Sequence, residues 1–204
     1  CAEKPEIVQK AMIVCADRAV AFRLLQEILA IRPDWGEKRR AEDESALTEK
    51  QLDKLMPVPK INLVAIQGAN DEKDLYEACG TKEYRKMLDR QFKNNDSNFK
   101  IAIVVDMWIT GFDVPSLAVM YIDKPLQKHT LIQTISRVNR VFEGKDKGLV
   151  VDYIGIKNDM LEAVKKYGSP QESPVDELNI SLGIFRNHLA MIDELLVGFN
   201  ATKF

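Results

Sequence analysis

Two arginines three residues apart, Arg137 and Arg140, close the run Gln133-Thr134-Ile135-Ser136-Arg137-Val138-Asn139-Arg140. A guanidinium keeps its charge at any physiological pH and forks onto paired oxygens, so the pair is suited to phosphate. On a predicted helix that spacing puts both on one face. Ahead of them stands Asp106-Met107-Trp108-Ile109-Thr110-Gly111-Phe112-Asp113-Val114-Pro115, a carboxylate ending an apolar run, then a glycine loop stopped by proline. Open α/β sheets place ligand loops at such strand ends. Gly111 permits a backbone conformation or a close approach that a side chain would block. Each residue also has a plainer reading. Alone, the arginines are a solvated pair on a helix surface; beside the Gly111 loop they read as a phosphate-facing pair. Asp113 before Pro115 fits an Asx-turn, Gln133 a helix-surface amide, and Trp108, next to a buried strand, a core aromatic rather than a base-stacking one.

The elements that must position these residues are legible as periodicity. Apolar, β-branched runs at 10–15, 61–66, 101–105, 117–122 and 148–155 read as strands. Asp17 stands in N-cap position before a helical pattern carrying Ala21, Phe22, Leu24, Leu25, Ile28 and Leu29. Residues 75–79 form a short turn broken at Gly80, and 81–92 a firmer helix whose Tyr84, Leu88 and Phe92 face the core. The charges of that helix, Lys82, Glu83, Arg85, Lys86, Asp89 and Arg90, take the wet side. Strands alternating with helices give a parallel α/β sheet. Residues 32–60 change character and read as a solvated insertion, with a short surface helix over 48–56. Its Lys38-Arg39-Arg40 is nearly cancelled by Glu42-Asp43-Glu44. A helix over 158–167, a Ser/Pro linker at 169–174 and an amphipathic helix over 175–199 complete the chain. That last helix carries an apolar stripe (Leu178, Leu182, Phe185, Leu189, Ile192, Leu196) it cannot bury alone.

Composition excludes more than it assigns. With 46% hydrophobic and 29% charged residues in 204, the chain fits one globular domain with an appendage. A net charge of −2 gives no broad basic surface, so any nucleic-acid contact must be local. Cys1, Cys15 and Cys79 lack C-x-x-C spacing, and His129 and His188 are unpaired, so no metal site is expected. The cysteine usage suits a reducing cytoplasm, no run approaches a membrane span, and the start at Cys1, without Met, reads as a fragment of a larger polypeptide.

The pair of blocks V-D-M-W-I-T-G-F-D-V-P and Q-T-I-S-R-V-N-R resembles motifs V and VI of superfamily 2 helicases. More closely, most of residues 8–168 is similar to the second RecA-like motor domain of the R subunit of type I restriction endonucleases. The resemblance implies a RecA-like parallel sheet flanked by helices over residues 1–168, followed by the linker and, from 175 to 204, the start of a C-terminal helical region. It implies that Arg140 is the arginine finger and Arg137 its companion, reaching ATP and Mg²⁺ held mainly by the first RecA-like domain of the same polypeptide. Gln133 corresponds to the glutamine that contacts ATP or its water, Asp113 to the carboxylate on the ribose, Thr110 to a position touching nucleotide or DNA backbone, and Gly111 to the loop glycine. Asp106 is expected to orient an arginine. Ser136 stands where relatives carry Gly, letting the helix sit close to the cleft. Val105 replaces the Thr of DEAD-box proteins, and that contact is not transferred. Double-stranded DNA and the methyltransferase and specificity subunits are the implied partners, and ATP-driven translocation coupled to DNA cleavage the implied activity. Another superfamily 2 motor, or a non-catalytic α/β binding module, are the alternatives.

Three patterns are missing from this sequence. It has no G-x-x-x-x-G-K-[ST] phosphate loop, no D-E-x-H run and no D…E-x-K nuclease pattern, so this chain alone is expected to be inactive. Gly144-Lys145-Asp146-Lys147-Gly148 has a Gly-Lys pair but neither the earlier glycine nor the Ser/Thr, and reads as a β-turn.

Overall fold

A computed structural model describes residues 10–109, 111–126, 128–140, 142, 145 and 148–155. The expected linker and C-terminal helices fall outside the described residues, as does Thr110.

The five expected strands form: β1 (Lys10–Cys15), β2 (Ile61–Val64), β3 (Ile101–Val104), β4 (Leu117–Asp123) and β5 (Leu149–Asp152). They make one sheet in the order β2-β3-β1-β4-β5, with every pairing parallel. The helices are α1 (Arg18–Ile31), α2 (Glu49–Leu52), α3 (Lys73–Cys79), α4 (Lys82–Lys93) and α5 (Lys128–Val138). This is the parallel α/β architecture expected from the alternating pattern. Asp17 caps α1 as predicted, its carboxylate accepting from Val20 N at 2.9 Å, and Thr81 caps α4.

A parallel sheet is buried on both faces, so its strands read as continuous apolar runs. One face carries Ile13, Cys15, Ile61, Leu63 and Ile103, packed under α1 and α3 through Ala21, Phe22, Leu25, Leu75 and Cys79. The register puts Met12, Ala102 and Met120 side by side on the other face, with Val14, Val104 and Ile122 one step along, all buried. Helix α4 covers that second face: Leu88 and Phe92 are fully buried and the Tyr84 hydroxyl donates to Asn62 Oδ1 at 3.4 Å. Helix α5 packs on β4 and β5.

The segment 32–60 is more than the solvated insertion its composition suggested. Its charges are exposed, but Ala41, Leu55 and Val58 are buried, and Arg39 and Val58 bridge antiparallel. Asn98 ties it to the body, donating its backbone N–H to Arg40 O and its side chain to Val58 O, at 2.9 and 2.8 Å. The predicted helix over 48–56 shrinks to the four residues of α2.

Lys10 opens β1 and is fully buried. Its Nζ donates to the carbonyls of Phe92 and Asn94, the latter at 2.7 Å, so it caps the carboxyl end of α4. Burial, then the charge of Lys100, push its pKa down to about 7 against the partial opposition of Asp96. A neutral amine still has two N–H donors for those two carbonyls. Because the unfolded chain holds this proton up to about pH 10.5 and the folded chain does not, stability rises with pH between the two values. Raising pH from 7 to 8.5 is expected to stabilise the chain by about 1.5 kcal/mol. Chemical denaturation at the two pH values checks this, and Lys10→Met should flatten the dependence. At higher pH the buried thiol of Cys15, pushed up to about 11 by burial, works in the opposite direction.

Candidate nucleotide and nucleic-acid site

The connection from β3 to β4 carries the loop expected to do chemistry, and it is built on aromatic rings. Trp108 stacks on Phe112 with ring centroids 4.1 Å apart and planes 2° from parallel. Phe92 of α4 lies 5.4 Å beyond Trp108, and Phe99 tilts against Phe92 at 4.8 Å. Trp108 is 8% exposed, which bears out the core reading over a base-stacking one. Its φ of 67° is the left-handed region, and no other described non-glycine residue adopts it; such a conformation costs about 1–3 kcal/mol. Gly111 also has positive φ, 73°, and a Cβ there would meet open space. Glycine is therefore favoured at 111 by its backbone conformation, not by crowding.

Both arginines meet this loop. Arg137, in the last turn of α5, donates from Nη1 to the carbonyl of Phe112, while its Nε is buried with no hydrogen-bond partner. Arg140 forms an ion pair with Asp113; the two side chains are 47% and 55% exposed. The helix-face expectation fails in one respect. Helix α5 stops at Val138, and Arg140 lies past its end. What brings the arginines together is the loop: consecutive residues, Phe112 and Asp113, receive them.

Gln133 is half-buried one helical turn before Arg137. Ser136 is exposed and its Oγ donates back to Gln133 O at 2.9 Å, so it serves the helix backbone. Asp106 does not orient an arginine. It is paired with Lys124, because it sits where the chain leaves β3, beside the end of β4. The Gly-Lys segment is no phosphate loop either: Lys145 is buried, with Nζ on the carbonyls of Pro115 and Leu117 at 2.9 and 2.8 Å. Lys145 N also donates to Phe142 O at 2.8 Å.

One feature was read from sequence only as a wet face. Lys82, Lys86 and Arg90 recur every fourth residue along α4, and all three are exposed. With Asp89, itself paired with Lys93, they form one wall of a groove of roughly 680 Å³ whose other wall is Ile66, Met107 and Trp108. Like charges one turn apart disfavour an isolated helix, and this is a local concentration of cations on a chain of net charge −2. The i, i+4, i+8 spacing was the signal available in the sequence. Arg85 also lines the groove but is engaged, its Nη1 donating to Gly80 O at 2.6 Å.

Among the described residues no group of three His, Cys, Asp or Glu could hold a metal, and no helix is long and apolar enough to cross a membrane. Cys15 and Cys79 are free and buried.

This chain belongs to the family of domain 3 of the type I restriction enzyme subunit R, whose model matches residues 37–155. The type I restriction enzyme HindI endonuclease subunit of Haemophilus influenzae is 34% identical over 170 residues, 81% of this chain and 15% of that relative. The SauCOLORF180P endonuclease subunit of Staphylococcus aureus is 38% identical over 96 residues, 46% of this chain and 10% of its own. The chain thus spans a small part of the curated relatives it matches. Among solved structures, a fragment assigned to the HsdR subunit of a type I enzyme from Vibrio vulnificus YJ016 is similar over 82% of this chain and 26% of its own, with 15% identity and a TM-score of 0.47. The C-terminal domain of the DEAD-box protein Dbp5 is similar over 81% of this chain and 88% of its own, with 18% identity and a TM-score of 0.36. At these scores the likeness carries no mechanistic weight.

Proposed function

We propose that this chain is the second motor domain of a type I restriction R subunit, contributing arginines and DNA-contacting surface to ATP-driven translocation along double-stranded DNA. The observation that carries the reading is the convergence of Arg137 and Arg140 on Phe112 and Asp113, within a chain of this family. The residues present fit a nucleotide. Arg140 and Asp113 are both about half exposed and accessible, and Arg137 keeps an unpartnered Nε. Bound ATP with Mg²⁺, held mainly by the first RecA-like domain of the same polypeptide, supplies the phosphoanhydride whose hydrolysis drives the motor. With nucleotide bound, Arg140 would supply positive charge to the phosphate oxygens and Asp113 would hold the ribose. Arg137, hydrogen-bonded to Phe112, holds α5 to the loop, and Gln133 would contact the nucleotide or its water. Arg140→Ala in the full-length parent is the test: unchanged DNA-stimulated ATP turnover overturns the reading.

DNA contact is assigned to the α4 groove and to Thr110. Lys82, Lys86 and Arg90 recur about 6 Å apart along the helix, a cationic track for one phosphodiester backbone. Changing each to Glu should weaken duplex binding by the parent and lower the slope of log affinity against log salt by about one per cation. Salt titrations of DNA binding check it. Methyltransferase and specificity subunits complete the assembly in the cytoplasm, and cleavage of unmodified DNA belongs to other parts of the R subunit.

A further inference from the structure

Trp108 stands between the two halves of this site. One side of its environment is the cationic groove, whose apolar wall it forms with Ile66 and Met107. On the other, its ring lies parallel against Phe112, and the aromatic cluster behind it is anchored in α4 by the fully buried Phe92. Phe112 supplies the carbonyl that takes Arg137, and its neighbour Asp113 holds Arg140. Left-handed backbone at a bulky residue persists only where the surroundings impose it. The stack with Phe112 is the contact that links this imposed conformation to the residues on which the arginines rest.

We propose that Trp108 is the positioning residue of the arginine pair: its stack on Phe112 fixes the Phe112 carbonyl and Asp113 carboxylate, and through them Arg137 and Arg140. The inference rests on the reading of those arginines given above. Trp108 touches neither nucleotide nor reacting atoms and acts through the loop. A flat ring is what the role requires, since an aliphatic side chain fills part of the same space but has no face to hold Phe112 parallel. A purely structural tryptophan would be replaced about equally well by any large apolar residue.

The experiment is steady-state ATP hydrolysis at saturating duplex DNA by the full-length parent carrying Trp108→Leu or Trp108→Phe, alone and with Arg140→Ala. Trp108→Leu is expected to lower kcat about tenfold or more, with KM for ATP changed less than about threefold, because a misplaced group loses transition-state contacts before ground-state ones. Trp108→Phe should recover kcat to within about threefold of wild type, the ring being restored. The double variant Trp108→Leu with Arg140→Ala should be no slower than Arg140→Ala, since both act on one element. A Leu variant equal to the Phe variant, or losses that multiply in the double variant, would overturn the positioning role. If Trp108→Leu does not fold, Phe112→Leu removes the same stack from its other side and is held to the same outcomes. Collapse on Arg140→Ala with full turnover on Trp108→Leu sinks this inference alone; unchanged turnover on Arg140→Ala sinks the motor reading and, with it, this one.

Discussion

Replacing Arg140 by alanine in the full-length parent is expected to lower DNA-stimulated ATP turnover by roughly three to five orders of magnitude, the range associated with arginine fingers. The expectation follows from how the residue is held. Arg140 lies beyond the end of α5, and its side chain is half exposed, so nothing in the core depends on it. An exposed ion pair such as Arg140 with Asp113 contributes little to stability. A loss of turnover therefore cannot be ascribed to unfolding, and nucleotide binding should be largely retained. Arg140→Lys separates charge from geometry, because an ammonium keeps the charge but loses the planar fork. Lysine should recover only a small part of the rate. Turnover within tenfold of wild type for the alanine variant would leave Arg140 outside the transition state.

Gly148→Ala is expected to be the most damaging single methyl in this fold. A Cβ at that position would lie 2.1 Å from the Val138 carbonyl oxygen and 2.5 Å from its carbon. Those atoms are backbone, so no rotamer change relieves the clash, and either the entry to β5 or the end of α5 must move. Overpacking typically costs about 1–3 kcal/mol, and a rigid opponent puts this case at the upper end. The thermal midpoint of the chain should fall by roughly 6–12 °C. The shift should be accompanied by a loss of parent ATPase, since Val138 lies between Arg137 and Arg140. An unchanged midpoint would mean the two segments are not held in contact.

The sheet was legible because its strands are buried on both faces and announce themselves as unbroken apolar runs; residues 10–15 were bounded as β1 from sequence alone. The sequence brought the arginine pair and the Gly111 loop forward together, but not the geometry that joins them. The end of α5 meets Gly148 at Val138, a contact that no local pattern announces. Trp108 gave no local sign of its left-handed backbone, which is imposed by rings at positions 92, 99 and 112 drawn from three different segments. Lys10 and Lys145 were invisible as core residues because lysine is a surface residue by type; each is buried because backbone carbonyls are waiting for its Nζ. The burial of Ala41, Leu55 and Val58 escaped notice for want of any period.

The strand order sets a schedule for synthesis. β1 lies at the centre of the sheet, yet Ala11 pairs with Ile101 on one side and Val119 on the other. On a ribosome adding 5–20 residues per second, the nascent strand waits roughly 5–20 s for its first partner. Throughout that interval it is an apolar segment with both edges bare, the kind of segment that joins with its like on neighbouring chains. Lys10, at its leading end, is then in water and fully charged, which guards the strand against such pairing. The side chain whose burial costs stability near neutral pH in the finished fold is thus a charge at the end of that strand before the sheet closes.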